Sequence, residues 1–302
     1  MSAQVSMLGL GLMGRPMAQT LLRAGYAVRG WNRSPLDPAL VAGLPLCASL
    51  ADAAASDICI LMLADSPAVD AVLEGLEPHL RPGRLVVDMG SSDPARSVLH
   101  AARLEARGIG WVDAPVSGGP EGAATGTLAI MAGGAEAHVE CARPVLEALG
   151  RVVHVGGPGA GHSAKVINQL IVGLTIEAVA EATVLAEAIG VDLTRLRQAL
   201  AGGFADSRVL HIHGARMASR SYVPGGRVTT QLKDLRLARA LADTAGVRLP
   251  HLDDTLERYE RLVARGDGAL DHSALHKLLL EEQRPAGTVT AAGAPTSGTE
   301  GA

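Results

Sequence analysis

The stretch Val5-Ser6-Met7-Leu8-Gly9-Leu10-Gly11-Leu12-Met13-Gly14 decides the fold of this chain. A short strand-like run enters a Gly-x-Gly-x-x-Gly turn, and residues 13–24 then continue at helical spacing toward Gly25. Glycines at these places permit a tight turn, bring bare backbone against a pyrophosphate and let the helix pack closely, while the helix N-terminus offers amide donors. An ordinary turn before a helix can carry the same pattern, so the context decides. Here a second strand, 27–31, follows and ends at Trp31-Asn32-Arg33-Ser34, where the adenine ribose of a dinucleotide would lie. An Asp or Glu there would bind both ribose hydroxyls and repel a 2′-phosphate; Asn32, Arg33 and Ser34 favour NADP(H) instead. Read as a solvated loop residue, Arg33 leaves NAD(H), or both cofactors, open.

Working outward, short apolar runs alternate with longer amphipathic segments, the pattern of parallel strands joined by helical crossovers. The expected strands continue at 58–63, 85–89, 110–114, 128–132 and 151–155, with helices at 67–76, 94–107 and 135–149 between them. After Gly156-Gly157-Pro158-Gly159 the strand signals stop, and Ala, Leu, Glu and Arg at helical spacing run to about residue 282. The expected organisation is an α/β Rossmann-type dinucleotide-binding domain over 1–160, an all-α substrate and dimerisation domain over 161–283, and a disordered tail over 284–302. A long interdomain helix, 161–189, joins the two domains.

Composition narrows the partners. The 302 residues carry 27 basic and 31 acidic side chains, a formal charge of −4, which gives no global reason to expect nucleic acid or an anionic membrane. Cys47, Cys59 and Cys141 are too few and too irregular for disulfides or a zinc site, so each is expected buried and inert in a reducing cytoplasm. The apolar stretch from Val166 to Ile189 is interrupted by Asn168, Gln169, Glu177, Glu181 and Glu187, costly in lipid, and reads as a buried helix of a soluble protein. Glu177 and Glu181 share a helix face and are expected to pair with arginines of the same domain or of a partner subunit. Only Lys165, Lys233 and Lys277 are lysine; the other 24 basic residues are arginine. A lysine kept against such a bias suits a place where a compact ammonium or a proton donor is needed.

Two further segments carry polar groups toward strand ends. Asp113-Ala114-Pro115-Val116-Ser117-Gly118-Gly119 follows a strand, and Ser117 with the amides of Gly118 and Gly119 can hold a carboxylate, although the composition equally suits a strained turn. Gly159-Ala160-Gly161-His162-Ser163-Ala164-Lys165-Val166-Ile167-Asn168-Gln169 opens the long helix, where spacings of three and four set Asn168 and Gln169 on roughly the face of Lys165. His211 and His213, two apart, do not share a helical face and give no metal pattern. Asp206 is expected to cap the helix that begins near Arg208.

With these residues in order, the chain resembles the β-hydroxyacid dehydrogenases across about residues 4–282. The resemblance rests on the glycine motif, the segments 113–119 and 159–169, Lys233-Asp234-Leu235, and Asp271-His272-Ser273-Ala274-Leu275. It implies an NAD(P)-dependent oxidoreductase that interconverts a short β-hydroxyacid and its semialdehyde. By the same resemblance Lys165 is the catalytic lysine, and Ser117, Gly118, Gly119, Asn168 and Gln169 bind substrate. The implied cofactor site comprises Gly9, Leu10, Gly11, Leu12, Met13, Gly14, Asn32, Arg33, Ser34, Leu63, Ala64 and Ser91, with Lys233 closing over the nicotinamide. No metal is required, and a cytoplasmic homodimer or homotetramer is implied. Lys277, without such a role, is expected as a solvated surface residue.

Within the family, Asn168-Gln169 and the Asp271 to Leu275 segment look more like tartronate semialdehyde (2-hydroxy-3-oxopropionate) reductases than 3-hydroxyisobutyrate or 4-hydroxybutyrate dehydrogenases. A non-catalytic NADP-binding protein is the reading from another class. Lys165 argues against that, and against an imine reductase, which usually replaces this lysine.

Overall fold

The computed structural model describes residues 3–283, so the tail expected at 284–302 lies outside the described residues. The chain forms two compact units. The first joins the residues up to Ile171 with Lys233–Leu249, and the second joins Val172–Leu232 with the described residues from Pro250 on. This division differs from the boundary expected between residues 160 and 161: the first turns of the long helix and a later segment around Lys233 belong with the sheet.

In the first unit, β1 (Gln4–Leu8), β2 (Ala27–Trp31), β3 (Ile58–Leu61), β4 (Leu85–Asp88) and β5 (Gly110–Asp113) run parallel in the order β2-β1-β3-β4-β5. The intervening helices are α1 (Gly14–Arg23), the short α2 (Leu50–Ala53), α3 (Ser66–Leu76) and α4 (Pro94–Glu105). Strand residues alternate between two cores. Val5, Met7, Ile58, Ile60, Leu85, Val87 and Val112 pack with Met17 and Leu21 of α1, whereas Leu8, Cys59, Leu61, Val86 and Trp111 pack with Leu73 and Leu76 of α3 and Leu104 of α4. Covering both faces makes the strands nearly continuous apolar runs, which is why they are visible in the sequence. Asp65 and Asp93 cap α3 and α4 by accepting the amides of Ala68 and Ala95, each with a proline in the first turn.

Beyond β5 the sheet departs from the parallel expectation. β6 (Val116–Ser117) is followed by α5 (Gly119–Thr125), β7 (Leu128–Gly134), α6 (Glu136–Glu147) and β8 (Gly150–Gly156). β7 runs antiparallel to both β5 and β6 in one register, with Asp113 opposite Gly133 and Val116 opposite Ile130, while β8 is parallel to β7. Residues 112–117 thus form one line along β7, interrupted at Ala114-Pro115. The link from Ser117 to Leu128 holds only a short helix and cannot make a crossover to a parallel strand, so the chain returns antiparallel.

α7 (Ala160–Ala188) starts in the first unit and continues into the second, which also holds α8 (Leu193–Leu200), α9 (Arg208–Ala218), the start of α10 (Val228–Thr244), α11 (Pro250–Ala264) and α12 (Leu275–Glu282). Ile176, Val179, Ala180, Leu210, Met217 and Leu279 form a core there. By length and composition alone α7 could cross a membrane. Its acidic groups find partners within the unit: Glu177 accepts from Thr255 and pairs with Arg258, whose other nitrogen lies 3.8 Å from Glu181.

Three local expectations are corrected. Ser207, not Asp206, caps α9 by accepting the Leu210 amide at 3.0 Å, while Asp206 accepts the Gly202 amide at 2.8 Å and lies 2.6 Å from His211 Nε2. Lys277 is not simply solvated: its ammonium reaches both oxygens of Asp267, at 2.9 and 2.8 Å. Cys47 and Cys59 are buried, but Cys141 is exposed.

His213 meets Asp271 and His272 with ligand-type atoms within 4.8 Å of one another, a grouping that the His211/His213 spacing does not disclose. Asp271 is fully engaged, one oxygen accepting from the Ser273 amide and hydroxyl, the other from Arg216 and the amides of Gly225 and Gly226. A carboxylate neutralised by a guanidinium and donated to on both oxygens has little to offer a cation. The cluster acts as a structural hub that fixes the turn before α10.

Candidate active site

The glycine turn separates into two kinds of position. A Cβ on Gly14 would lie 1.8 Å from the Gly9 carbonyl oxygen, and one on Gly9, which has φ +98°, would lie 2.3 Å from the Met62 carbonyl oxygen. The protein's own packing therefore requires those two glycines. A Cβ on Gly11 would meet nothing within 4 Å. Bare backbone facing open space at the mouth of a βα turn, next to the N-terminus of α1, fits a pyrophosphate. Leu12 is exposed and Met13 half-buried beside it.

Asn32 is more constrained than its place in the sequence suggests. Its Oδ1 accepts the Leu10 amide at 3.0 Å and its Nδ2 donates to the Ser34 carbonyl at 2.8 Å, so both polar ends tie the glycine turn to the end of β2. Arg33 and Ser34 are exposed, and Arg33 makes no ion pair among the described residues. Of the three residues expected at this edge, Arg33 and Ser34 are the two whose side chains are exposed.

The other cofactor candidates lie on the loops that leave β3 and β4. Leu63 and Ala64 follow β3 and Ser91 follows β4, and the loops are close enough that a Cβ on Gly90 would sit 2.8 Å from the Leu63 carbonyl oxygen. Lys233, early in α10, bridges them: its ammonium donates to the carbonyls of Ser91 at 2.8 Å and Ala64 at 3.2 Å, and lies 3.2 Å from Asp234 Oδ1. Ser117 ends β6, half-buried, and Gly118 and Gly119 follow at φ +140° and +66°. These conformations favour glycine.

Lys165 lies on α7, half-buried, with its ammonium donating to Gln169 Oε1 at 3.2 Å. Asn168 Nδ2 donates to the same oxygen at 2.9 Å, and Gln169 Nε2 donates to Asp234 Oδ2 at 2.8 Å. A continuous polar chain results, Lys165 to Gln169 to Asp234 to Lys233. Burial pushes the Lys165 ammonium down to about 8, with the Asp234 carboxylate opposing that shift and the Lys233 charge adding to it. A lysine tuned to this range exchanges a proton near neutral pH, as acid–base chemistry at a carbonyl requires.

The start of α7 is fixed by Asp113, whose carboxylate accepts the amides of Gly159 at 2.8 Å and His162 at 2.9 Å. A Cβ on Gly161 would lie 2.2 Å from the Asp113 carbonyl oxygen and 2.4 Å from that of Met131, so the helix sits directly on the strands. The expected site residues all fall in the first unit. The part of Asp234 was missed in the sequence, although it stands beside Lys233, because its bond to Gln169 spans 65 positions.

Residues 4–157 match the NAD binding domain of 6-phosphogluconate dehydrogenase, and residues 159–279 match the NAD-binding domain of NADP-dependent 3-hydroxyisobutyrate dehydrogenase. The chain is 41% identical to 2-hydroxy-3-oxopropionate reductase of Escherichia coli strain K12 over 285 residues, covering 91% of this chain and 97% of that protein. The chain belongs to the β-hydroxyacid dehydrogenase family.

A second relative, the NAD-dependent L-serine dehydrogenase of Pseudomonas aeruginosa, is 35% identical over 91% of this chain and 97% of its own length. The crystal structure of 3-hydroxyisobutyrate dehydrogenase from Salmonella typhimurium superposes with a TM-score of 0.84 at 30% identity, covering 92% of this chain and all of that one. As a β-hydroxyacid dehydrogenase family member, the chain is an NAD(P)-dependent oxidoreductase.

Proposed function

We propose that this chain is a 2-hydroxy-3-oxopropionate reductase that prefers NADPH, working as a soluble, cytoplasmic homo-oligomer. The observation that carries the reading is the Lys165–Gln169–Asp234 chain, set beside 41% identity to the E. coli reductase. In reduction the Lys165 ammonium donates its proton to the aldehyde oxygen; in oxidation the neutral amine accepts the hydroxyl proton. Gln169 holds the ammonium in place, and Asn168 steadies Gln169. Asp234 keeps the lysine from losing its proton entirely to burial. Ser117 with the amides of Gly118 and Gly119 takes the substrate carboxylate. The nicotinamide, when bound, supplies the hydride. Gly9 to Gly14, Leu63, Ala64 and Ser91 hold the cofactor, with Lys233 at the joint between the two loops.

Initial rates of NADPH oxidation with 2-hydroxy-3-oxopropionate, beside methylmalonate semialdehyde, succinic semialdehyde and glyoxylate, test the substrate. The expected result is the highest kcat/KM with 2-hydroxy-3-oxopropionate; preference for methylmalonate or succinic semialdehyde would assign a 3-hydroxyisobutyrate or 4-hydroxybutyrate dehydrogenase instead.

Cofactor choice rests on Arg33, an exposed guanidinium without an ion pair among the described residues, since Asn32 is committed to backbone. Arg33→Ala is expected to raise the KM for NADPH by about 10- to 100-fold, the loss of a charge-assisted contact to a 2′-phosphate, and to leave that for NADH within about twofold. Equal changes for both cofactors would contradict the preference.

A further inference from the structure

A buried cluster beside the site joins elements that the proposed chemistry needs in register. Asp88, the last residue of β4, has no solvent exposure; its Oδ1 accepts the Gly90 amide at 3.0 Å and its Oδ2 the Ser92 hydroxyl at 2.8 Å. His162, in the first turn of α7, is also fully buried, with Nε2 3.6 Å from Asp88 Oδ2 and Nδ1 2.5 Å from the hydroxyl of Ser97 in α4. Among the described residues no hydrogen bond satisfies His162 Nε2, so the Asp88 carboxylate is its closest acid partner. Asp88 therefore faces the helix of Lys165 on one side. On the other it ties down the 90–92 loop, whose Ser91 carbonyl receives Lys233.

We propose that His162 is a positioning residue for the reaction: through Asp88 and Ser97 it locks the first turn of α7 to the loop after β4. Lys165 lies one turn further along the same helix, and Lys233 bonds to that loop, so this lock sets the spacing between the two lysines. A buried group of this kind stabilises one arrangement and resists small slides of the helix. Displacements of about 1 Å at a reacting group cost on the order of 100-fold in rate. In this proposal the ring proton sits on Nε2, toward the Asp88 carboxylate at 3.6 Å, and Nδ1 accepts from the Ser97 hydroxyl. A glutamine supplies the same donor and acceptor without a ring.

The inference rests on the reading of Lys165 as the proton donor, and the test separates the two. His162→Ala, His162→Gln and Lys165→Arg are assayed with NADPH and 2-hydroxy-3-oxopropionate, with NADPH affinity measured by fluorescence titration. His162→Ala is expected to lower kcat by about 10- to 100-fold with NADPH affinity within twofold of the parent, and His162→Gln to recover kcat to within about threefold. If His162→Ala does not fold, Ser97→Ala, which removes only the hydroxyl contact, takes its place with an expected loss of about three- to tenfold in kcat. Unchanged kcat in the folded variants, loss of thermal stability alone, or a fall in NADPH affinity matching the fall in kcat overturns the proposal. Turnover by Lys165→Arg above about one tenth of the parent overturns the reading beneath it; a Lys165→Arg slowed at least about 100-fold beside a fully active His162→Ala overturns only the positioning role.

Discussion

Lys165→Arg is expected to fold, bind NADPH and lose turnover by about 100- to 10,000-fold, the range that a positioned general acid supplies. Arginine keeps the positive charge beside Gln169, so the substitution isolates proton transfer from electrostatics. A guanidinium does not release its proton in the range where enzymes work, whereas burial brings the Lys165 ammonium down to about 8. Steady-state rates in both directions, with cofactor affinity measured separately, check it. Activity above one tenth of the parent would show that the proton comes from elsewhere.

The second large effect separates the glycines of the first turn. Gly11→Val is expected to leave the melting temperature unchanged and to weaken NADPH binding by about 100-fold, roughly 2.7 kcal/mol, because its side chain enters the open space that we assign to the pyrophosphate. Gly14→Ala is expected to do the reverse and destabilise the fold itself by about 3 kcal/mol, since its Cβ would lie 1.8 Å from the Gly9 carbonyl oxygen. Thermal melts with and without NADPH distinguish them. If Gly11→Val melts well below the parent, that position belongs to the protein's packing and not to the cofactor.

The fold was largely legible because its strands are covered on both faces. Runs such as Ile58-Cys59-Ile60-Leu61 serve two cores at once, and Gly, Pro and Asp mark the helix ends. β3 ends two residues earlier than expected because Met62 and Leu63 leave the sheet to close on Gly9. The antiparallel β7 was not legible: strand direction is fixed by the line that residues 112–117 make along it, not by the composition of either segment.

At the site, the scarcity of lysine marked Lys165, Lys233 and Lys277, the family resemblance chose the first two, and helical spacing set Gln169 beside Lys165. Sequence could not reveal that Asn32 is spent on backbone, since its partners are the Leu10 amide and the Ser34 carbonyl. Nor could it bring Asp234 to Gln169 or Asp88 to His162, which meet only when the sheet is assembled.

The central claim, that Lys165 carries the proton, is tested most directly by the pH dependence of kcat in the two directions. The ammonium is the reactive form in reduction and the amine in oxidation. The reductive rate is therefore expected to fall as pH rises through about 8, and the oxidative rate to rise through the same range. Profiles that are flat from pH 6.5 to 9.5, or that move together, would contradict it.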